Sequence, residues 1–301
     1  MNSSPISFQV AGLHLHFLAC DSSITFKIPH FYDNFLKYKE NNKAQLNSIG
    51  YDYDFPKHEL ILEVHNGKIQ NDKLIECLFT SNHWALWRSN LNRLIFIDEL
   101  QSPITKALIE PSFRNGKIFR DVDASNEIPF YPLQNLDIQL FSNWLAIYGD
   151  IILHASGVIT KNNSGYCFAG GSGAGKSTLA KSLTSRHSLQ VLGEDNLILR
   201  YLDGQFFVFG TPWHEDPVMS FPQGCLLKKF FILDREANPG IHPIKPLKIV
   251  AYLMKTAFIP YYRHDLLPGI LERLSHLAEM VPFYTLNYEL GCDMWESIQE
   301  V

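Results

Sequence analysis

The chain has 301 residues, of which 46% are hydrophobic and 19% are charged, and its formal net charge is −5. This composition is typical of a globular protein, and the length exceeds that of one ordinary domain, so we expect two domains. Because the balance is acidic and no dense Lys/Arg run occurs, a general electrostatic surface for nucleic acid is excluded, and nucleic acid is not an expected partner.

The cysteines and the apolar runs of the sequence indicate the cellular compartment in which the protein is expected. The five cysteines are widely separated and include no C-x-x-C pair, so neither a disulfide framework nor a zinc site is expected. The N-terminus has no basic leader before an apolar core, and no apolar run reaches the roughly eighteen residues that a membrane-spanning helix needs. The sequence therefore predicts a cytoplasmic protein without a membrane partner.

Residues 1–125 are predicted to form a strand-rich N-terminal domain, which either recognises the acceptor or is an accessory domain that makes an oligomer contact. Alternating segments predict its strands, among them "FQVAGLHLHFLA", "ELILEVHNGKI" and "HWALWRSNLNRLIFIDEL". Asn66-Gly67 predicts a tight hairpin turn. His14 and His16 share one face of the first segment, but two histidines without a third ligand nearby are more often packing or surface residues than a metal site.

A domain boundary is predicted near residue 125, where "DVDASNEIPFYPLQ" is rich in proline and polar residues. Residues 126–301 then form the second predicted domain. It opens with a helix in "LQNLDIQLFSNWLAIYG", whose apolar residues recur at helical spacing. These residues are Leu133, Leu136, Leu140, Trp144 and Ile147.

The rest of the second half alternates predicted strands and helices. "IILHASGV" and "SGYCFAG" predict strands, "STLAKSLTSRH" predicts a helix, and Asp203-Gly204 predicts the turn of a further hairpin. "KKFFILD" and "PFYTLNY" predict two more strands, whereas "PLKIVAYLMKTAF" and "LLPGILERLSHLAEM" predict helices. The second half is therefore predicted to be a mixed α/β domain.

The stretch "GGSGAGKSTL" fits the Walker A (P-loop) pattern G-x-x-x-x-G-K-[ST] and stands between a predicted strand and a predicted helix. Glycines let backbone N–H groups approach phosphates closely, and the positive end of the helix that Lys176 opens favours the same anions. Ser177 can offer its hydroxyl to Mg²⁺. The predicted nucleotide-binding residues are Gly170, Gly171, Ser172, Gly173, Ala174, Gly175, Lys176, Ser177 and Thr178.

Phosphoryl transfer also requires carboxylates for the metal and for the acceptor hydroxyl. Glu194 and Asp195, in "VLGEDN", follow the glycine-rich loop by one helix and end a predicted strand, where a carboxylate can face the loop. Two adjacent acids could equally form a solvated turn. His154 ends another predicted strand and could reach the phosphates, although a lone histidine in an apolar strand is often a packing residue.

Three segments together resemble the core of HPr kinase/phosphorylase and of the HPr kinase-like serine kinases: "LHASGV", "GGSGAGKS" and "VLGEDN". The resemblance covers roughly residues 130–290. It implies an α/β core of the phosphoenolpyruvate carboxykinase-like type, with the P-loop on a mixed sheet. His154 matches the family histidine and Asp195 the second acid, whereas Glu194 stands where the family has the aspartate that acts on the acceptor hydroxyl.

Further segments resemble a branch of that family encoded near peptide-modifying enzymes. "YPLQNL" and "GTPWHED" are similar to its members, some of which phosphorylate a serine of a ribosomal precursor peptide such as a lasso peptide precursor. Lys245 and Lys248 stand where arginines are usual and would contact phosphate or acceptor, or else form a solvated helix start. Trp213 and His214 would line the acceptor, or else form a core turn.

The sequence as a whole predicts a transferase: an ATP-dependent, Mg²⁺-dependent kinase acting on a serine of a peptide or small protein. Its catalytic residues would be His154, Lys176, Glu194 and Asp195, with Ser177 and Asp195 as metal ligands. A small-molecule hydroxyl kinase and a nucleotide-dependent sensor are the alternatives. The sensor is less favoured because neither N-K-x-D nor L-S-G-G-Q occurs. Since HPr enzymes form hexamers, a homo-oligomer is left open.

Overall fold

The computed structural model describes residues 5–36, 58–100, 104–120, 131–133, 135–213, 222, 224–289 and 291–301. It divides into two compact units, Met1–Phe141 and Ser142–Val301. The boundary predicted near residue 125 lies outside the described residues, so the division into 1–125 and 126–301 stays a prediction.

The described residues of the first unit form an eight-stranded sheet and a short 3-10 helix, His30–Phe35. Its strands are β1 Ile6–Val10, β2 Leu13–Ala19, β3 His58–Asn66, β4 Leu74–Thr80, β5 Trp84–Ser89, β6 Leu94–Asp98, β7 Thr105–Ile109 and β8 Asn115–Arg120. Their spatial order is β1-β2-β3-β8-β7-β6-β5-β4. β3 pairs in parallel with both β2 and β8, and the remaining pairs are antiparallel.

The hairpin predicted at Asn66-Gly67 is wrong. Gly67 has the positive φ of +108° that a tight turn needs, but β4 lies at the far edge of the sheet and pairs with β5. Beyond the end of β3, the Gly67 N–H donates to the Arg120 carbonyl at 2.8 Å and so continues the pairing with β8. A turn dipeptide specifies local backbone geometry, whereas packing of the whole sheet selects the partner strand.

Aromatic side chains pack around a buried carboxyl in the first unit. The Tyr32 ring lies 4.7 Å from Phe8 and 5.2 Å from Tyr131, measured between centroids. The Tyr131 hydroxyl donates to the carboxylate of Asp137. Burial raises the pKa of Asp137 to about 7, although hydrogen bonds from Tyr131 and Tyr32 oppose the shift.

The second unit contains a ten-stranded mixed sheet with helices on both faces. Its strands are β9 Ile151–Leu153, β10 Ala155–Thr160, β11 Ser164–Gly170, β12 Leu189–Gly193, β13 Leu197–Leu202, β14 Gln205–Gly210, β15 Gly224–Leu233, β16 Gly240–Pro243, β17 Ala257–Phe258 and β18 Phe283–Asn287. The main order is β12-β10-β11-β15-β14-β13-β9-β17, and β18 pairs with β15 and β16. β15 is parallel to β11 and β18, and the other pairs are antiparallel. The predicted mixed α/β class is confirmed.

The described residues form five α-helices: α1 Asp137–Ala146, α2 Lys176–Arg186, α3 Pro246–Thr256, α4 Leu267–Met280 and α5 Trp295–Glu300. α1 begins in the first unit and ends in the second, and the other four belong to the second unit. Successive residues of β15 pack into different clusters. Phe230 belongs to the cluster that holds apolar residues of α3 and α4, whereas Phe231 packs with α2 and α5. Because neighbouring strand residues point to opposite faces, this sheet is covered on both sides. Within the described ranges, every helix is too short or too polar to traverse a lipid bilayer.

The segment "IILHASGV" forms two strands rather than the single strand predicted. β9 pairs with β13 and β17, whereas β10 pairs with β11 and β12, and the chain bends at His154 between them. Immediately after the bend, the Ala155 N–H donates to the Asp195 carbonyl at 3.1 Å. The bend therefore brings His154 to the turn that carries the two predicted acids.

Candidate functional site

The glycine-rich loop connects β11 to α2. Gly170, Gly173 and Gly175 have φ values of +154°, +74° and +101°, which residues with a Cβ rarely adopt. A Cβ at Gly170 would lie 2.9 Å from the Leu233 carbonyl oxygen, whereas a Cβ at Gly171 or Gly173 would meet no atom within 4 Å. The loop is therefore held against β15 at its start and faces open space further along.

Lys176, the first residue of α2, is folded back across this loop. Its ammonium donates to the carbonyls of Gly170 at 3.0 Å and Gly171 at 3.3 Å, and the residue is only 7% exposed. Burial lowers the pKa of Lys176, and the negative charge of Asp195 opposes this shift. A buried cation thus contacts the glycine-rich loop and interacts electrostatically with Asp195 in the turn after β12.

The charge of Asp195 acts on both Lys176 and His154. Asp195 has a left-handed φ of +62° in the turn between β12 and β13, and its side chain is half-buried. The pKa of His154 is lowered by burial and by the charge of Lys176, while the carboxylate and the backbone oxygen of Asp195 oppose that shift. The structure therefore brings together three residues that the sequence places in three separate segments.

Glu194 faces a different cation from its neighbour. It is 6% exposed, and its Oε1 lies 3.5 Å from Nζ of Lys181, in the second turn of α2. Lys181 is not among the site residues predicted from the sequence. Its position five residues after Lys176 on one predicted helix is a signal that could have suggested a second cation near the acids, but the pairing itself depends on the packing of α2 against β12.

The turn that carries Glu194 and Asp195 is anchored on its other side by buried polar contacts that no sequence pattern predicts. The Asn196 side-chain amide donates to the Trp213 carbonyl at 2.8 Å, and the Thr211 hydroxyl donates to the Asn196 carbonyl at 2.7 Å. Trp213 is buried, and its carbonyl holds the turn through the hydrogen bond from Asn196. His214 lies outside the described residues.

The other predicted site residues are placed as follows. Ser177 is half-buried in the first turn of α2, and Ser172 and Thr178 are exposed around it. Lys245 is the residue before α3 and Lys248 lies in its first turn, both with exposed side chains. A role for these two lysines in phosphate or acceptor binding stays a prediction.

Comparisons with known proteins add little to this geometry. No family model matches the chain, and no curated protein matches it. A solved structure of the HPr(Ser) kinase/phosphatase from Coxiella burnetii is similar over 50% of this chain and 86% of that chain, with 12% sequence identity and a TM-score of 0.29. A similarity this low identifies neither a family nor a reaction, so function has to be inferred from the site itself.

Proposed function

We propose that this protein is a kinase that binds ATP at the glycine-rich loop and transfers the γ-phosphoryl group to a serine hydroxyl of a peptide or small protein. The observation that carries the proposal is the convergence of Lys176, Asp195 and His154 at a glycine-rich strand–loop–helix connection. Phosphoryl transfer needs a cation on the phosphates, a carboxylate for the metal and a group that receives a proton.

The loop supports phosphate binding through its backbone. Gly171 and Gly173 leave open space where a side chain would project, and α2 directs its N-terminal N–H groups toward the same region. The ammonium of Lys176, which now donates to two loop carbonyls, can instead donate to phosphate oxygens. The negative charge of a triphosphate would then offset the cost of burying this cation.

The residues near the loop fit a magnesium ion. Mg²⁺ prefers oxygen ligands and is commonly held by a hydroxyl or carboxylate together with substrate phosphates. Ser177 supplies a hydroxyl at the start of α2, and Asp195 supplies a carboxylate close enough to act on Lys176. In this proposal these two residues hold the ion, which when bound neutralises charge on the phosphate oxygens.

The transfer step requires an acceptor for the serine proton. The serine oxygen bonds to the γ-phosphorus, the bond from that phosphorus to the bridging oxygen of ADP breaks, and the hydroxyl proton passes to a protein base. His154 can receive it because its lowered pKa favours the neutral imidazole. Glu194, the base that the family resemblance implies, lies buried against Lys181 instead. Substitution of each group separates these roles.

A transfer assay with γ-labelled ATP and Mg²⁺ tests the proposal, with serine-containing peptides encoded near the gene as acceptors. Label should appear on serine with the native chain and with Lys161→Ala, a control in the exposed turn between β10 and β11. Lys176→Ala should lower transfer by at least about 100-fold, because it removes charge stabilisation of the transition state. Bound ATP without label on any peptide would contradict the proposal and favour a sensor, and label on a small-molecule hydroxyl would favour the other alternative.

Variants of the acids and the histidine distinguish their roles. We expect Asp195→Asn to weaken Mg²⁺-dependent nucleotide binding and to abolish transfer, because it removes a metal ligand. We expect His154→Gln to lower transfer with little change in nucleotide binding. If Glu194→Gln abolishes transfer while His154→Gln does not, Glu194 is the base and His154 has only a supporting role.

A further inference from the structure

A second cluster of chemically reactive side chains lies in the first unit, where three parallel strands adjoin. Cys20 directly follows β2, and Glu63 and His65 are two residues apart on β3, so the latter two share a face. Ala19 pairs with Val64, which places Cys20 level with His65. The thiol sulfur, a carboxylate oxygen and an imidazole nitrogen all lie within 4.8 Å of one another.

The surrounding backbone and rings hold these groups in position. The Cys20 N–H donates to the Val64 carbonyl at 3.0 Å, and the Asn66 amide donates to the hydroxyl of Ser23 at 3.1 Å, so the segment after β2 is tied to β3. On β8, Phe119 stacks on the His65 ring with centroids 5.2 Å apart and planes 16° apart. The three donor groups therefore need little reorganisation to converge on one ion.

We propose that Cys20, Glu63 and His65 bind a divalent transition-metal ion of the Zn²⁺ type. Thiolate, imidazole and carboxylate are the ligands that zinc uses, whereas Mg²⁺ and Ca²⁺ take oxygen ligands. Three protein ligands leave the fourth tetrahedral position to water. This site goes beyond the kinase proposal and revises the expectation that the chain holds no zinc site. That expectation rested on C-x-x-C spacing, but here the parallel pairing of β2 and β3 brings the ligands together.

Lys117 pairs with the carboxylate of Glu63, so a metal ion would have to compete with it for that ligand. Its ammonium lies 2.8 Å from Oε2 of Glu63, and Nε2 of His65 lies 3.4 Å from the same oxygen. The Lys117 side chain is 44% exposed, so it can move into solvent when an ion takes the carboxylate. Metal binding thus exchanges one cation for another at Glu63, and the lysine lowers the affinity without blocking the site.

Cobalt titration of the full-length chain after chelator treatment tests the site directly, because Co²⁺ bound to a thiolate gives a charge-transfer absorption band. We expect single-site saturation of this band with the native chain and its loss on addition of Zn²⁺. Cys20→Ser should abolish the band, and Cys77→Ser, which alters another exposed cysteine of the same unit, should leave it unchanged. No band with the native chain, or an unchanged band with Cys20→Ser, would overturn the proposal.

Two further measurements keep the test independent of any one variant. His65→Ala should weaken Zn²⁺ binding, measured by calorimetry, by at least about tenfold, because loss of a ligand costs no less than loss of an outer-shell partner. Lys117→Met should strengthen Zn²⁺ binding several-fold, and a weaker affinity in this variant would contradict the exchange of cations. Zn²⁺ should also raise the melting temperature of the native chain and of Cys77→Ser, but not that of Cys20→Ser.

Discussion

At the scale of single residues, a buried ion pair in the second unit should make the free energy of unfolding sensitive to the loss of either partner. The Nε of Arg200 lies 2.8 Å from Oδ2 of Asp150, and the two side chains are 1% and 2% exposed. Asp150 also accepts the N–H of Tyr201 at 3.1 Å. Burial raises the pKa of Asp150, and the charge and hydrogen bond of Arg200 oppose this shift. The pair thus links the start of β9 to the middle of β13.

We expect Arg200→Met to destabilise the chain by about 3–5 kcal/mol, because it leaves the Asp150 carboxylate buried without its cation. The double variant Asp150→Leu/Arg200→Met should recover most of this loss, since it removes both buried charges. Urea denaturation of the native chain and of both variants measures these differences. If the double variant is as unstable as the single one, the ion pair contributes through packing rather than charge.

The buried carboxyl of Asp137 predicts an unusual dependence of stability on pH. Its pKa in the folded chain is about 7, above the ordinary value of 3.8. Between these two pH values the folded state holds a proton that the unfolded state has lost. The free energy of unfolding therefore falls as pH rises through this window, by up to about 1.4 kcal/mol per pH unit. Above the window the contribution of Asp137 no longer changes.

Asp137→Asn isolates this effect because asparagine stays neutral. Relative to the native chain, the variant should gain stability as pH is raised from 5 to 8, and most of this gain should come below pH 7, the pKa of Asp137 in the folded chain. The free energy of unfolding in urea, measured at both pH values, provides the comparison. A difference between variant and native chain that does not depend on pH would show that Asp137 is ionised across this range in the folded protein.

At the scale of elements, the glycine-rich loop depends on different glycines for different reasons. Gly170→Ala would place a Cβ 2.9 Å from a backbone oxygen of β15, at a φ of +154°. We expect this variant to lose about 1–3 kcal/mol of stability and to bind nucleotide more weakly. Gly171→Ala is the matched control, because its Cβ meets no atom within 4 Å, and its stability should stay within about 0.5 kcal/mol of the native value.

Thermal unfolding and nucleotide binding of the two glycine variants test whether the loop is held against β15. Equal stabilities would contradict the close approach of Gly170 to Leu233. A Gly171→Ala chain that is stable but binds nucleotide weakly would instead indicate that phosphate oxygens occupy the open space beside Gly171.

The elements that the sequence predicts best are those set by local chemistry. Asp203-Gly204 closes the predicted hairpin between β13 and β14, with φ values of +47° and +79° that suit this turn. The predicted helix before the loop forms as α1, since its apolar stripe matches the helical period. Asn66-Gly67 is no less typical of a hairpin turn, yet β3, the strand before it, pairs with β2 and β8 rather than with β4. Strand order in a sheet depends on partners that are distant in the sequence.

The same distinction applies to the candidate site. The positive-φ glycines and the position of Lys176 follow from a pattern within one segment. By contrast, Glu194 interacts with Lys181 while its neighbour Asp195 interacts with His154. This division depends on the left-handed turn after β12 and on the bend between β9 and β10. The cluster of Cys20, Glu63 and His65 depends on parallel pairing in the same way. A sequence pattern does not carry such long-range geometry.

At the scale of the whole molecule, the two units carry separate sets of residues. The two apolar clusters that pack on the described sheet of the second unit are built from residues between Ala146 and Ile298. The site residues His154, Lys176 and Asp195 lie within the same range. The proposed metal ligands lie in the first unit. Nucleotide binding and metal binding should therefore be separable by dividing the chain, which allows the role of each unit to be measured.

We expect a chain that begins at residue 131, and so retains α1 entire, to unfold cooperatively and to bind ATP within about threefold of the full-length affinity, since its core clusters are intact. It should have lost the Zn²⁺ site and, if the first unit recognises the acceptor, most phosphoryl transfer to peptide. Thermal unfolding, ATP titration and the transfer assay measure these properties, with Lys176→Ala in the same fragment as the control. Full transfer by the fragment would show that acceptor recognition resides in the second unit, whereas cooperative unfolding without ATP binding would mean that the nucleotide site requires residues of the first.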